Sequence, residues 1–159
     1  MPYRTLQFKK GEHYHITNRG LGKKKIFYEH EDYMWFINIL LSFNSKYHID
    51  IIGYCLMPNH YHLILRQNKS NMIKAFISAI QISHARKFNN KWNRKGPLFH
   101  GRYFPKHIQD QGQLSNTITY IIYNPVRANL VNNPEDWQYS SFRLPSSSHN
   151  KFNRLELTG

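Results

Sequence analysis

One cysteine, Cys55, stands among 159 residues. A lone thiol excludes an internal disulfide and any metal centre built from cysteines. Carboxylates are also scarce, nine Asp and Glu against 22 Lys and Arg. Four of them form the pairs Glu31–Asp32 and Glu135–Asp136, which read as helix-start or turn decoration. A two-metal nuclease held by several carboxylates would need most of the remainder, so that chemistry is disfavoured. We expect any metal to lean on the ten histidines instead. Long apolar runs are missing too. The longest, Trp35–Leu41, is broken by Asn38 and falls short of the roughly 18 residues that a membrane span takes. The start, MPYRTLQFKKGEHYH, lacks the apolar core and small-residue cleavage site of a secretory signal. These absences lead us to expect a cytoplasmic protein with no membrane partner.

What is present is an ordinary globular composition, 40% hydrophobic and 15% aromatic, at a length that suits one domain. We expect that domain over residues 1–144, with a loosely ordered tail over 145–159. The net charge of +13 favours a polyanionic partner, and nucleic acid is the usual one.

Periodicity divides the chain into alternating elements. Residues 12–18 (EHYHITN) alternate and read as a strand, followed by the basic, glycine-punctuated loop Arg19–Lys25. Helical spacing runs from Asp32 to about Lys46. Asp50–Met57 is a nearly continuous apolar run, as expected of a buried strand. Pro58–Asn59 signals a turn, and His60–Arg66 returns as the second arm of a hairpin. A long helix over 70–90, a strand over 103–110, a helix over 114–123 and a short helix over 125–131 complete the order. This β-α-β-β-α-β-α sequence predicts an α+β fold, an antiparallel sheet with helices packed on it.

Two segments carry chemistry. In His60–Tyr61–His62, strand alternation turns both imidazoles to one face, about 6–7 Å apart, a start for a divalent metal site. The same spacing also suits two histidines on a half-exposed strand. In Thr117–Val131, Tyr120 and Asn124 are four apart and share a helix face if the helix runs that far. Asn124 equally suits a helix break before Pro125, and Tyr120 ordinary core.

Together these segments resemble a known family. HYH fits the histidine–hydrophobe–histidine motif of the HUH single-tyrosine transposases. Tyr54–Leu65, Tyr120–Val131, Gly96–Arg102 (GPLFHGR), Glu135–Phe142 (EDWQYSSF) and His13–Gly20 (HYHITNRG) look like the REP-associated tyrosine transposase branch, from about residue 12 to 143. The resemblance implies the ferredoxin-like α/β sandwich of HUH nucleases, DNA as substrate and a bacterial host. It implies Tyr120, 58 residues past His62 (120 − 62), as the nucleophile that joins to a DNA 5′-phosphate. Tyr123 falls where the family is usually not tyrosine. The metal, Mg²⁺ or Mn²⁺, would be held by His60, His62 and Asn124. Where this chain has Ile122, the family more often has histidine. A phosphotyrosine stores the bond energy, so rejoining needs no ATP and no nucleotide cofactor is expected. Insertion-sequence relatives are dimers and REP-associated ones can be monomers, so either state is open.

Candidate DNA contacts are Arg19, Lys23, Lys24 and Lys25 in one loop, and Arg86, Lys87, Lys91, Trp92, Arg94 and Lys95 around the end of the long helix. Cations interleaved with aromatics suit single-stranded or hairpin DNA. Arg102 and Arg127 sit in family-like strings and either contact DNA or brace the site. The competing readings are a non-catalytic hairpin DNA binder on the same scaffold and a metal-dependent hydrolase. The hydrolase is weakened by the shortage of carboxylate bases.

Overall fold

In the computed structural model, which describes residues 6–141, the alternating segment near the start forms β1 (His13–Arg19). It is followed by α1 (His30–Phe43), β2 (Ile49–Met57), β3 (His60–Gln67), α2 (Met72–Lys91), β4 (Phe104–Ile108), α3 (Gln111–Ile122) and the single turn α4 (Asn124–Arg127). The tail expected over 145–159 lies outside the described residues. Four strands make one antiparallel sheet in the order β2-β3-β1-β4. Helices cover both faces, as the α+β reading requires.

The first face holds the larger core. Tyr14 and Ile16 of β1 and Tyr61, Leu63 and Leu65 of β3 meet Phe36 and Leu40 of α1 and Phe76, Ile77 and Ile80 of α2. Each such side chain contributes about 1.5–3 kcal/mol by leaving water. The second face is covered by α3, with Trp137 packed beside it. Leu114, Ile118 and Ile121, spaced to share a helix face, pack on Ile52, Cys55, Met57, Ile64 and Ile108. Because β2 is buried from both sides beyond Asp50, its sequence from Ile51 to Met57 is a nearly continuous apolar run instead of alternating. Its outer edge is paired too, since Leu56 N–H donates to the Tyr139 carbonyl at 2.9 Å.

Local chemistry sets the helix ends. The Asp32 carboxylate accepts from the amides of Tyr28 (2.8 Å) and Glu29 (3.2 Å), a capping box that accounts for the Glu31–Asp32 pair. The helix expected over 125–131 is cut to α4, because Asn129 turns left-handed at φ 59°. Gly20 ends β1 where a Cβ would sit 1.9 Å from the Lys24 carbonyl oxygen, so only glycine lets the basic loop fold back here. Among the described residues, no helix is long and apolar enough to cross a membrane.

Candidate active site

Strand alternation places His60 and His62 on the face that α3 covers, while Tyr61 is fully buried on the other and donates to Gln81 Oε1 at 2.6 Å. In the sheet register, His62 lies between Thr17 of β1 and Cys55 of β2, and His60 between Arg19 and Met57. The two imidazole centroids are 5.0 Å apart.

Each ring is held from one side. His60 Nδ1 lies 2.7 Å from the Asn59 side-chain oxygen, and the Asn124 side chain lies close enough to His60 to influence its protonation. His62 Nδ1 lies 3.0 Å from Nε2 of His15, whereas its own Nε2 is buried with no hydrogen-bond partner. Burial keeps these rings neutral at physiological pH. It lowers His60, the Asn124 side chain opposing the shift. It takes His62 down to about 2, assisted by the nearby His60, His15 and Arg127. His15 falls to about 4, from burial first and the Lys106 charge second.

Tyr120 comes to these histidines from above, on α3. Its ring meets that of His62 edge-on at 6.2 Å, while 53% of the residue stays exposed. The Arg127 guanidinium sits 4.2 Å from the Tyr120 ring centroid and donates to the Tyr120 backbone carbonyl. Although α3 ends at Ile122, Tyr123 stays near helical backbone (φ −87°, ψ −3°) before α4 begins at Asn124. The four-residue spacing therefore keeps Tyr120 and Asn124 both on the β3 side. Tyr123, the cap between them, is exposed.

Two imidazoles and an amide oxygen are a donor set that leaves open positions on a divalent ion. Among the described residues no group of three His, Cys, Asp or Glu could hold a metal, so such a site needs the amide. The unpartnered, buried Nε2 of His62 fits a ligand lone pair, and the bonds at the far sides of both rings are the kind that orient metal-binding histidines.

The expected DNA contacts divide by location. Arg19 faces His60 across the sheet, and its loop is tied to the same turn, Gly20 N–H donating to the Asn59 carbonyl at 2.9 Å. Lys23, Lys24 and Lys25 are exposed in that loop. Arg127 is at Tyr120. Arg102 is exposed in the segment that follows Phe99, which bridges to Gly20. Arg86 and Lys87 lie on the exposed side of α2, across the sheet from the histidines, with Lys87 over the Trp35 ring at 4.3 Å. Arg94 is turned onto Asn89 at 2.6 Å, and Lys95 is exposed nearby. Lys91 and Trp92 are occupied within the fold. Lys91 Nζ pairs with Glu29 (2.5 Å) and Asp32 (3.0 Å), and Trp92 Nε1 donates to Asp32. The sequence reading passed over His15, Thr17, Asn59, Phe104 and Lys106, which border the histidines and tyrosine. HYHITN carried the alternation that puts His15 and Thr17 on one face, but nothing in it says which strand lies beside β1.

A family model described as "Transposase IS200 like" matches residues 9–124, from just before β1 through Asn124. The chain belongs to the IS200-like transposase family. This IS200-like chain is 29% identical over 108 residues to a Haemophilus influenzae protein described as a REP-associated tyrosine transposase. That match covers 62% of this chain and 61% of the relative's length. In fold it is similar to a REP-associated tyrosine transposase solved bound to a REP hairpin, with a TM-score of 0.69, 18% identity and coverage of 89% of this chain and 82% of the other. A Deinococcus radiodurans protein described as a transposase superposes with a TM-score of 0.53 at 16% identity, covering 74% of this chain and 94% of its own.

Proposed function

We propose that this IS200-like chain is a DNA transposase that nicks and joins single-stranded DNA through a covalent link to Tyr120, at hairpin-forming repeats. The observation that carries this reading is the convergence of Tyr120, from α3, on His60 and His62 of β3, with Asn124 of α4 beside His60. The hairpin bound to the structural relative supports the choice of DNA.

In the proposed reaction the Tyr120 oxygen attacks a phosphodiester and loses its proton. The bond from phosphorus to the 3′-oxygen breaks, and that oxygen takes up a proton. A 5′-phosphotyrosine and a free 3′-hydroxyl result, and attack by a 3′-hydroxyl reverses the step with no net change in protons. His60, His62 and Asn124 would hold Mg²⁺ or Mn²⁺. The ion, when bound, neutralises charge on the non-bridging phosphate oxygens. Arg127 holds the tyrosine in place through its ring and carbonyl, and adds positive charge beside the incoming phosphate. Neutral histidines at physiological pH are available as ligands without first losing a proton.

The test is incubation with labelled hairpin oligonucleotides and Mg²⁺ or Mn²⁺. We expect a denaturation-resistant adduct that Tyr120→Phe abolishes. Tight, salt-sensitive binding without an adduct under either metal would replace this reading with a non-catalytic binder. Cleavage without an adduct would replace it with a hydrolase.

A further inference from the structure

α3 covers only part of the second sheet face. Beside its apolar row it turns Gln113, Asn116, Thr117 and Tyr120 toward a groove of about 440 Å³. The opposite wall is the sheet, with Thr17 and His15 of β1 and their register partners Phe104 and Lys106 of β4. The histidine pair and this groove thus share one floor. Across the sheet at one level run Cys55, His62, Thr17 and Phe104. At a strand spacing near 4.8 Å, Phe104 is about 10 Å from His62.

Phe104 is 67% exposed, the most exposed large apolar side chain among the described residues. Two residues further, on the same face, is the exposed cation Lys106. Asn116, one helical turn before Tyr120 on α3, presents an exposed amide on the helix wall of the groove. A bare ring, a cation and an amide around one cleft match the three parts of a nucleotide: a base face to stack, a phosphate to neutralise and a base edge to read. A peptide strand added to the edge fits less well, since Pro105 removes a backbone donor from β4. The net charge of +13 also favours a polyanion.

We propose that this groove binds the single-stranded nucleotide adjoining the scissile phosphate, with its base stacked on Phe104, its phosphate on Lys106 and its edge read by Asn116. The assignment of that nucleotide rests on Tyr120 being the attacking residue, whereas base stacking in the groove does not depend on it. Phe104, Lys106 and Asn116 are then specificity determinants on the single-stranded side of the substrate.

The experiment uses the Tyr120→Phe chain, which cannot cleave, and hairpin oligonucleotides carrying 2-aminopurine at successive single-stranded positions. One position is expected to lose fluorescence on binding. Phe104→Ala should abolish that quenching and weaken binding roughly tenfold, while Phe104→Trp retains both. Lys106→Ala should weaken all sequences alike and lower the salt slope by about one. Asn116→Ala should flatten base preference at that single position. Quenching that survives Phe104→Ala, or binding with no quenched position, overturns the subsite. Adduct formation by the chain with Tyr120 intact is read separately. Phe104-dependent quenching with no adduct sinks the nucleophile and with it the nucleotide's position, but not the stacking. An adduct with Phe104-independent quenching sinks the subsite alone.

Discussion

His15 Nε2 lies 3.0 Å from His62 Nδ1, the two rings stacked at 5.2 Å between centroids. One proton serves that contact. When His62 donates it, the Nε2 lone pair of His62 is left free for a metal; when His15 donates, Nε2 carries hydrogen and cannot ligate. His15→Phe keeps a flat ring but removes the acceptor. We expect it to weaken Mn²⁺ binding by roughly 10- to 100-fold, read by electron paramagnetic resonance without DNA. His15→Gln, whose side-chain oxygen can accept, should recover part of the loss. Unchanged Mn²⁺ affinity in His15→Phe would show that this contact does not set the ligand.

Arg127 touches Tyr120 through both its ring and its carbonyl. Losing it should affect the chemical step more than affinity. We expect Arg127→Ala to slow adduct formation roughly tenfold or more at saturating DNA, with Arg127→Lys intermediate because an ammonium lacks the planar fork. A loss confined to DNA affinity would make Arg127 a binding residue only.

The loop cations and the helix-end cations should behave differently. Arg19→Ala and Lys23→Ala are expected to lower DNA affinity and each reduce the salt slope by about one. Lys91→Ala should leave the slope unchanged and instead lower the melting temperature, since Lys91 is engaged with Glu29 and Asp32. Asp32→Ala should cost about 2 kcal/mol or more, because it strips the α1 cap and leaves the Trp92 indole N–H without its acceptor. Burial alone would raise the Asp32 carboxyl, but donation from the Tyr28 and Glu29 amides, Lys91 and Trp92 outweighs it, so the group titrates below its usual range. Its contribution is present above the unfolded carboxyl range and fades as pH falls through the lower folded value.

His84 makes stability depend on pH in the mildly acidic range. Its Nε2 donates to the Ile26 carbonyl at 2.8 Å, among Phe27, Phe36, Phe88 and Phe99, and its Nδ1 is buried with no partner. Burial takes it down to about 4, opposed by the Ile26 bond and the Asp32 charge. The unfolded ring titrates near 6.5, so the unfolded chain holds more protons between the two values. Stability is full above about pH 6.5 and falls as pH drops toward 4, by up to ~3 kcal/mol from this group. Urea unfolding at pH 7 and pH 5 should show the loss, and His84→Gln should remove part of it. His15 and His62 shift in the same direction, so some slope remains in that variant.

Much of the architecture was legible in the chain because its signals are local. The alternation in HYHITN, the His60–Tyr61–His62 step, the Pro58–Asn59 turn and the helical spacing of Leu114, Ile118 and Ile121 each depend on residues a few positions apart. The nearness of His60 to His62 follows from strand geometry alone. Composition alone excludes a metal site built from cysteines and disfavours one held by several carboxylates.

Tertiary packing decided the rest. Strand order cannot be read from alternation, so only the sheet puts His15 and Thr17 beside His62, and Phe104 and Lys106 beyond them. Composition counts Lys91 as a free cation, but the approach of α1 to the end of α2 commits it to carboxylates. The same charge in the Arg19 loop stays at the surface, because Gly20 folds that loop back beside the β2–β3 turn. The chain by itself determined which chemistry was possible, through residue types and short spacings. Which side chains meet, and which cations stay available to a ligand, depended on contacts between residues far apart in sequence, and such contacts exist only once the sheet has closed and both its faces are covered.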